Sequence, residues 1–71
     1  MMSEVEKALA HNLREVREAK GLTLKDVVKA TGYTEVSISR WETGIRIPKA
    51  TVLYNLAKYY GVSIDRLFWK E

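Results

Sequence analysis

Hydroxyl side chains and glycines punctuate this chain at intervals that suit short helices and little else. Ser3, Thr23, Thr34 and Ser63 each precede a segment of apolar residues at helical spacing, and Gly21, Gly32, Gly44 and Gly61 each follow one. A serine or threonine oxygen accepts a hydrogen bond from a first-turn amide that lacks a partner within the helix, so it favours a helix start. Glycine is common just past a helix end. No alternating apolar pattern of useful length, no internal repeat and no low-complexity stretch interrupts this reading.

The spacing also predicts which face of each helix turns inward. Helix 1 follows Ser3, with Glu6 three residues on completing a capping box. Its inward residues are Val5, Leu9, Leu13 and Val16, with Ala8 and Ala19 beside them. Helix 2 follows Thr23, carries Asp26 in its first turn, and turns Val27 and Val28 inward. Helix 3 follows Thr34; Ile38 and Trp41 point in, while Glu35, Val36, Ser39 and Arg40 point out. Pro48 breaks the chain just before helix 4, where Val52, Leu53, Leu56, Ala57 and Tyr60 recur at three- and four-residue steps. Ser63 opens a short helix 5 containing Ile64, Leu67 and Phe68. The expected fold is all-α, a compact five-helix bundle forming one domain over residues 1–71.

A chain of 71 residues builds one modest core. With no cysteine it has neither a disulfide nor a thiolate metal site to reinforce that core. The absence of cysteine suits a reducing cytoplasm. No apolar run approaches the roughly 20 residues that span a bilayer, and the first residues lack the basic and apolar regions of a secretion signal. A cytoplasmic protein is therefore expected. The net charge of +3 arises entirely within residues 45–71, because acids and bases balance in the rest of the chain. A basic end suits a polyanionic partner, and equally a solvated basic surface.

The segment from Leu24 to Trp41 carries the most information. Two short helices separated by three or four residues, with glycine in the turn, form a helix-turn-helix unit. Gly32 provides the backbone freedom for the change of direction. Val28 packs at the crossing, and Ile38 and Trp41 anchor the second helix from beneath. The N-terminal residues of such a second helix reach base edges.

The flanking residues extend this pattern. They include Leu13-Arg14-Glu15-Val16-Arg17, Thr31-Gly32-Tyr33-Thr34, Ile38-Ser39-Arg40-Trp41-Glu42, Gly44, Arg46 and Pro48, then Leu56-Ala57 and Gly61-Val62-Ser63 with Asp65. In these motifs the sequence resembles the phage-repressor and Cro-like helix-turn-helix family, the xenobiotic-response-element type, over residues 12–68. The resemblance implies a lambda-repressor-like fold and a transcriptional regulator, most often a repressor. It implies that Arg17 and Glu42 form a partly buried ion pair joining helix 1 to the end of helix 3. It implies base reading by Glu35, Val36, Ser39 and Arg40, with Thr34 beside them, and phosphate contact by Thr23, Arg46 and Lys49. Two positions depart from the family pattern: Leu24 stands where glutamine is frequent and Val28 where a small alanine is usual, so contact details transfer less closely than the fold.

The chemistry of these side chains is consistent with such a surface. Arg40 suits a bidentate bond to guanine. Glu35 has two readings: it accepts from a cytosine amino group, or it complements the helix dipole. Val36 suits a thymine methyl. Thr34 is a cap whose backbone amide also suits a phosphate. Lys25 and Lys29 join Arg46 and Lys49 as candidate phosphate contacts.

Family members usually bind palindromic double-stranded DNA as two-fold dimers, which implies a homodimer here. Ile45 and Ile47 in a loop, with Tyr59, Phe68 and Trp69, exceed what so small a core needs and are the candidate dimer interface. Alternatively, Phe68 and Trp69 fold back to finish the core. No cofactor, metal or small-molecule ligand is evident. The single histidine, His11, has no cysteine, acid cluster or glycine-rich loop beside it, so an enzyme is not expected. No helix joins a lysine-rich face to a strong apolar one, so a membrane-surface role is not expected either. A protein-binding module of the same fold, antitoxin-like or the target of an antirepressor, is the rival reading, and a regulatory protein partner is compatible with both. The outward Arg40, together with Arg46 and Lys49, favours DNA.

Overall fold

Four of the five helices in the computed structural model, which describes residues 2–70, begin on a hydroxyl that accepts from a first-turn amide. Helix α1 spans Glu4–Ala19, α2 Leu24–Thr31, α3 Glu35–Thr43, α4 Ala50–Tyr60 and α5 Ile64–Leu67. Ser3 with Glu6, and Thr23 with Asp26, make reciprocal capping boxes that satisfy an orphan amide at each end of the pair. Helix α4 has no side-chain cap; Lys49 precedes it, and the buried Pro48 sets its approach. No strand occurs among the described residues.

The helices close around Leu9, Leu13, Val16, Val27, Ile38, Leu56, Ala57, Tyr60 and Leu67. Helix α1 packs against α3 and α5, α2 against α3 and α4, and α4 against α5. The Cα radius of gyration, 11.0 Å, is what a well-packed domain of this length shows, about 11 Å.

Several inward assignments shift. Val5 is 54% exposed and Ile64 40%. Each lies in the first turn of its helix and overhangs the end of the core. Ala19 is exposed at the last turn of α1, and Val28 is half-buried, so Val27 alone seals α2 against the centre. Phe68 follows α5 as its C-cap and packs, half-buried, against the core. Ser39, expected to point out, is half-buried too.

One buried polar residue joins the chain ends. Asn12 lies on the inward stripe of α1 between Leu9 and Leu13 and is 4% exposed. Its Nδ2 donates toward the carbonyls of Leu67 at 3.0 Å and Trp69 at 2.7 Å, with Arg66 further off at 3.4 Å. The Leu67 and Trp69 carbonyls lie at and just past the end of a one-turn helix, where no helical amide follows to bond them. Asn12 therefore serves as a remote C-cap for α5.

Candidate nucleic-acid interface

Helix α3 stands on two anchors. From beneath, Ile38 is 1% exposed in the core. Trp41 packs edge-on to Tyr33 of the preceding turn, with centroids 5.3 Å apart and planes at 85°, a favoured aromatic geometry. At its end, Glu42 receives Nε of Arg17 at 2.8 Å and Nη2 at 3.0 Å. The third Arg17 nitrogen, Nη1, donates to the Leu22 carbonyl at 2.7 Å. Arg17 thus ties the end of α1, the loop leading to α2 and the end of α3 to one planar group. Bonding to Glu42 raises the Arg17 pKa further, against the opposing effect of burial.

Anchored in this way, α3 presents Glu35, Val36 and Arg40 to solvent, Val36 being 58% exposed, while Ser39 lies half-buried beside them. The turn before α3 needs a left-handed residue, and Gly32 supplies it at φ 81°. Thr34 Oγ1 accepts from the Ser37 amide and donates to Ser37 Oγ at 2.9 Å, so its hydroxyl is engaged within the cap. Beyond α3 the chain folds back, and the Arg46 amide donates to the Arg40 carbonyl at 3.2 Å. That bond holds the loop against the helix and brings Arg46 to the same side as Arg40.

The result is an open cleft whose lining includes Tyr33, Thr34, Ser37, Arg40, Arg46 and Lys49, with no carboxylate among its lining residues. A second groove, around Thr23 and Lys25, also contains Glu18 and Glu35. Lys29 lies on the surface outside both. The candidate dimer residues are not gathered in one groove. Ile47 lines the basic cleft, whereas Trp69 lines a groove against Glu4, Lys7 and His11 of α1. Tyr59 is 37% exposed and Trp69 61%. Among the described residues, no helix is long and apolar enough to cross a membrane.

A family profile described as a helix-turn-helix domain matches residues 8–67. The chain belongs to the helix-turn-helix family.

Similarity to known proteins runs in several directions. The chain is 35% identical over 60 residues to HTH-type transcriptional regulator y4dJ of Sinorhizobium fredii, covering 84% of this chain and 78% of that protein. It is 36% identical over 59 residues to HTH-type transcriptional regulator DdrOP3 of Deinococcus deserti, covering 83% of this chain and 46% of that one. A third relative is glutamine–fructose-6-phosphate aminotransferase of Methanocaldococcus jannaschii, 32% identical over 69 residues; the chain spans only 6% of its length. Among solved structures, the DNA-binding domain of BldD superposes with a TM-score of 0.85 at 32% identity, over 97% of this chain and 100% of that one. The BldD DNA-binding domain of S. venezulae gives 0.83 at 32% identity, over 94% and 100%.

Two features of this fold were not expected from the sequence. Asn12 had a legible signal, a lone amide on an apolar stripe, since a buried polar side chain requires a partner. The bond from Asn55 Nδ2 to Tyr33 Oη, 2.8 Å across 22 residues of sequence, had none.

Proposed function

We propose that residues 1–71 act as one unit that binds double-stranded DNA sequence-specifically and represses transcription from the cytoplasm as a homodimer. The observation that carries this reading is the pairing of two surfaces: the outward Glu35, Val36 and Arg40 of α3, and the adjoining cleft in which Arg40, Arg46 and Lys49 meet no carboxylate. A helix enters the major groove, where base edges carry a unique pattern of donors and acceptors. Cations to one side of it meet the phosphates. In this reading Arg40 reads guanine, Val36 packs on a thymine methyl, and Glu35 and Ser39 complete the reading face. Arg46 and Lys49 hold one backbone strand, and the backbone amide of Thr34 joins them, its hydroxyl being engaged with Ser37. Thr23, Lys25 and Lys29 approach a phosphate from the start and outer face of α2. The superposition on two DNA-binding domains supports the assignment. Two protomers place their α3 helices in half-sites about 34 Å apart, one helical turn of DNA.

The test is selection from a random duplex pool. A palindromic winner bound at least about 10³-fold more tightly than random DNA is expected. Arg40→Ala then relaxes one base position in each half-site, at a cost of about 1–3 kcal/mol per half-site. A pool that yields no enriched sequence, with weak binding to any duplex, overturns the reading.

A further inference from the structure

We infer that the Tyr33 hydroxyl is a neutral phosphate donor in the DNA interface, oriented for that role by Asn55. This inference rests on the DNA-binding reading above and adds to it a contact outside the reading face of α3. Asn55, exposed on α4, donates its Nδ2 hydrogen to Tyr33 Oη at 2.8 Å. The phenol oxygen is thereby an acceptor, and its own hydrogen remains free to donate elsewhere. The ring cannot swing away, because it packs edge-on against Trp41, 5.3 Å between centroids. Its cleft contains Arg40, Arg46 and Lys49 and no carboxylate. No other hydrogen bond is made by this hydroxyl among the described residues. A rigid, outward O–H beside three cations fits an anionic oxygen, and in the DNA reading that oxygen belongs to a phosphodiester.

The chemistry separates this donor from its neighbours. An arginine or lysine on a phosphate releases a counterion and steepens the salt dependence by about 0.9 in log–log slope. A phenol carries no charge and releases none. Tyr33 therefore adds affinity that does not change with salt, and it adds no base preference.

Tyr33→Phe keeps the ring, the packing on Trp41 and the fold, and deletes only the O–H. On the palindrome selected by the wild-type chain, its affinity is expected to fall about tenfold per half-site and so about a hundredfold for the dimer, the loss of one hydrogen bond to a charged group in each protomer, with an unchanged salt slope and unchanged sequence preference. Arg46→Ala, by contrast, should flatten the slope. A single methylphosphonate moved along the duplex should locate one position per half-site that weakens the wild-type chain and leaves Tyr33→Phe indifferent. Asn55→Ala should weaken binding less than Tyr33→Phe, and add nothing in the Tyr33→Phe background. A tightly bound duplex to which Tyr33→Phe binds as well as the wild type overturns this inference and leaves the DNA-binding reading intact. A wild-type chain that binds no duplex better than random DNA overturns both.

Discussion

Arg17 and Glu42 meet through two parallel hydrogen bonds, 2.8 and 3.0 Å, with side chains only 11% and 6% exposed. Twenty-five residues separate them in sequence, and together they fix the end of α3 to α1. Removing one partner strands a charge in a largely dry site. Glu42→Ala should cost about 3–5 kcal/mol, a large share of a domain stability of about 5–15 kcal/mol. The double replacement Arg17→Met with Glu42→Leu should recover most of that loss. Urea unfolding of the three chains checks both points, and a Glu42→Ala chain as stable as the wild type contradicts them.

Asn12 holds the C-terminal turn through its Nδ2 and the carbonyls of Leu67 and Trp69. Asn12→Ala should cost about 1–3 kcal/mol, since it strands those acceptors. It should also raise amide exchange across residues 64–70 more than across α2 or α3. Uniform acceleration over the whole chain would mean that Asn12 acts on global stability alone.

Acid should weaken the fold partly through Asp26. Its carboxylate accepts from the Thr23 amide at 2.8 Å, and that bond holds its pKa below the ordinary 3.8. The carboxylate's contribution is complete above the unfolded value and is lost as pH falls through the lower folded one. Asp26→Asn should therefore melt below the wild type at neutral pH, and the gap should narrow as pH falls below 3.8. Glu15, held low first by Arg66 and next by His11, adds to the same acid sensitivity. A gap that stays constant with pH would exclude Asp26 as a source.

Alkali acts through Tyr60. Burial, with Glu42 as the next cause, pushes its hydroxyl up from 10.0 to about 12. The folded state favours the neutral phenol, so this contribution is complete below the unfolded value and drains away as pH rises from 10.0 through about 12. At about pH 11, Tyr60→Phe should keep a larger fraction of its neutral-pH urea midpoint than the wild type keeps. Equal fractional losses in the two chains would count against it.

Trp69 is 61% exposed, and in the proposed homodimer it belongs to the interface. Trp69→Glu should reduce the mass seen by sedimentation from dimer to monomer and weaken operator binding. An unchanged mass removes Trp69 from the interface.

The helices were legible before any coordinates, because each depends on residues within a few positions of one another. Ser3 with Glu6 and Thr23 with Asp26 are local pairs, and the Leu9–Leu13–Val16 stripe repeats within one helix. The exposed face of α3 follows from the same periodicity, once Ile38 and Trp41 are taken as its buried side. The Arg17–Glu42 pair entered only through the family resemblance, since its partners lie on different helices.

What tertiary structure alone decided are relationships between distant segments. Nothing in the sequence pairs Asn12 with the Trp69 carbonyl, or Asn55 with the Tyr33 phenol. Nor does periodicity reveal that Val5 overhangs the core while Phe68 closes it, because a helix-end residue is buried only if another element extends far enough to cover it. The sequence by itself determined where the chain turns helical and which faces are apolar, through caps, stops and spacing. Packing determined which polar groups meet, because a hydrogen bond requires its two atoms within about 3 Å in space, a distance that sequence separation does not encode.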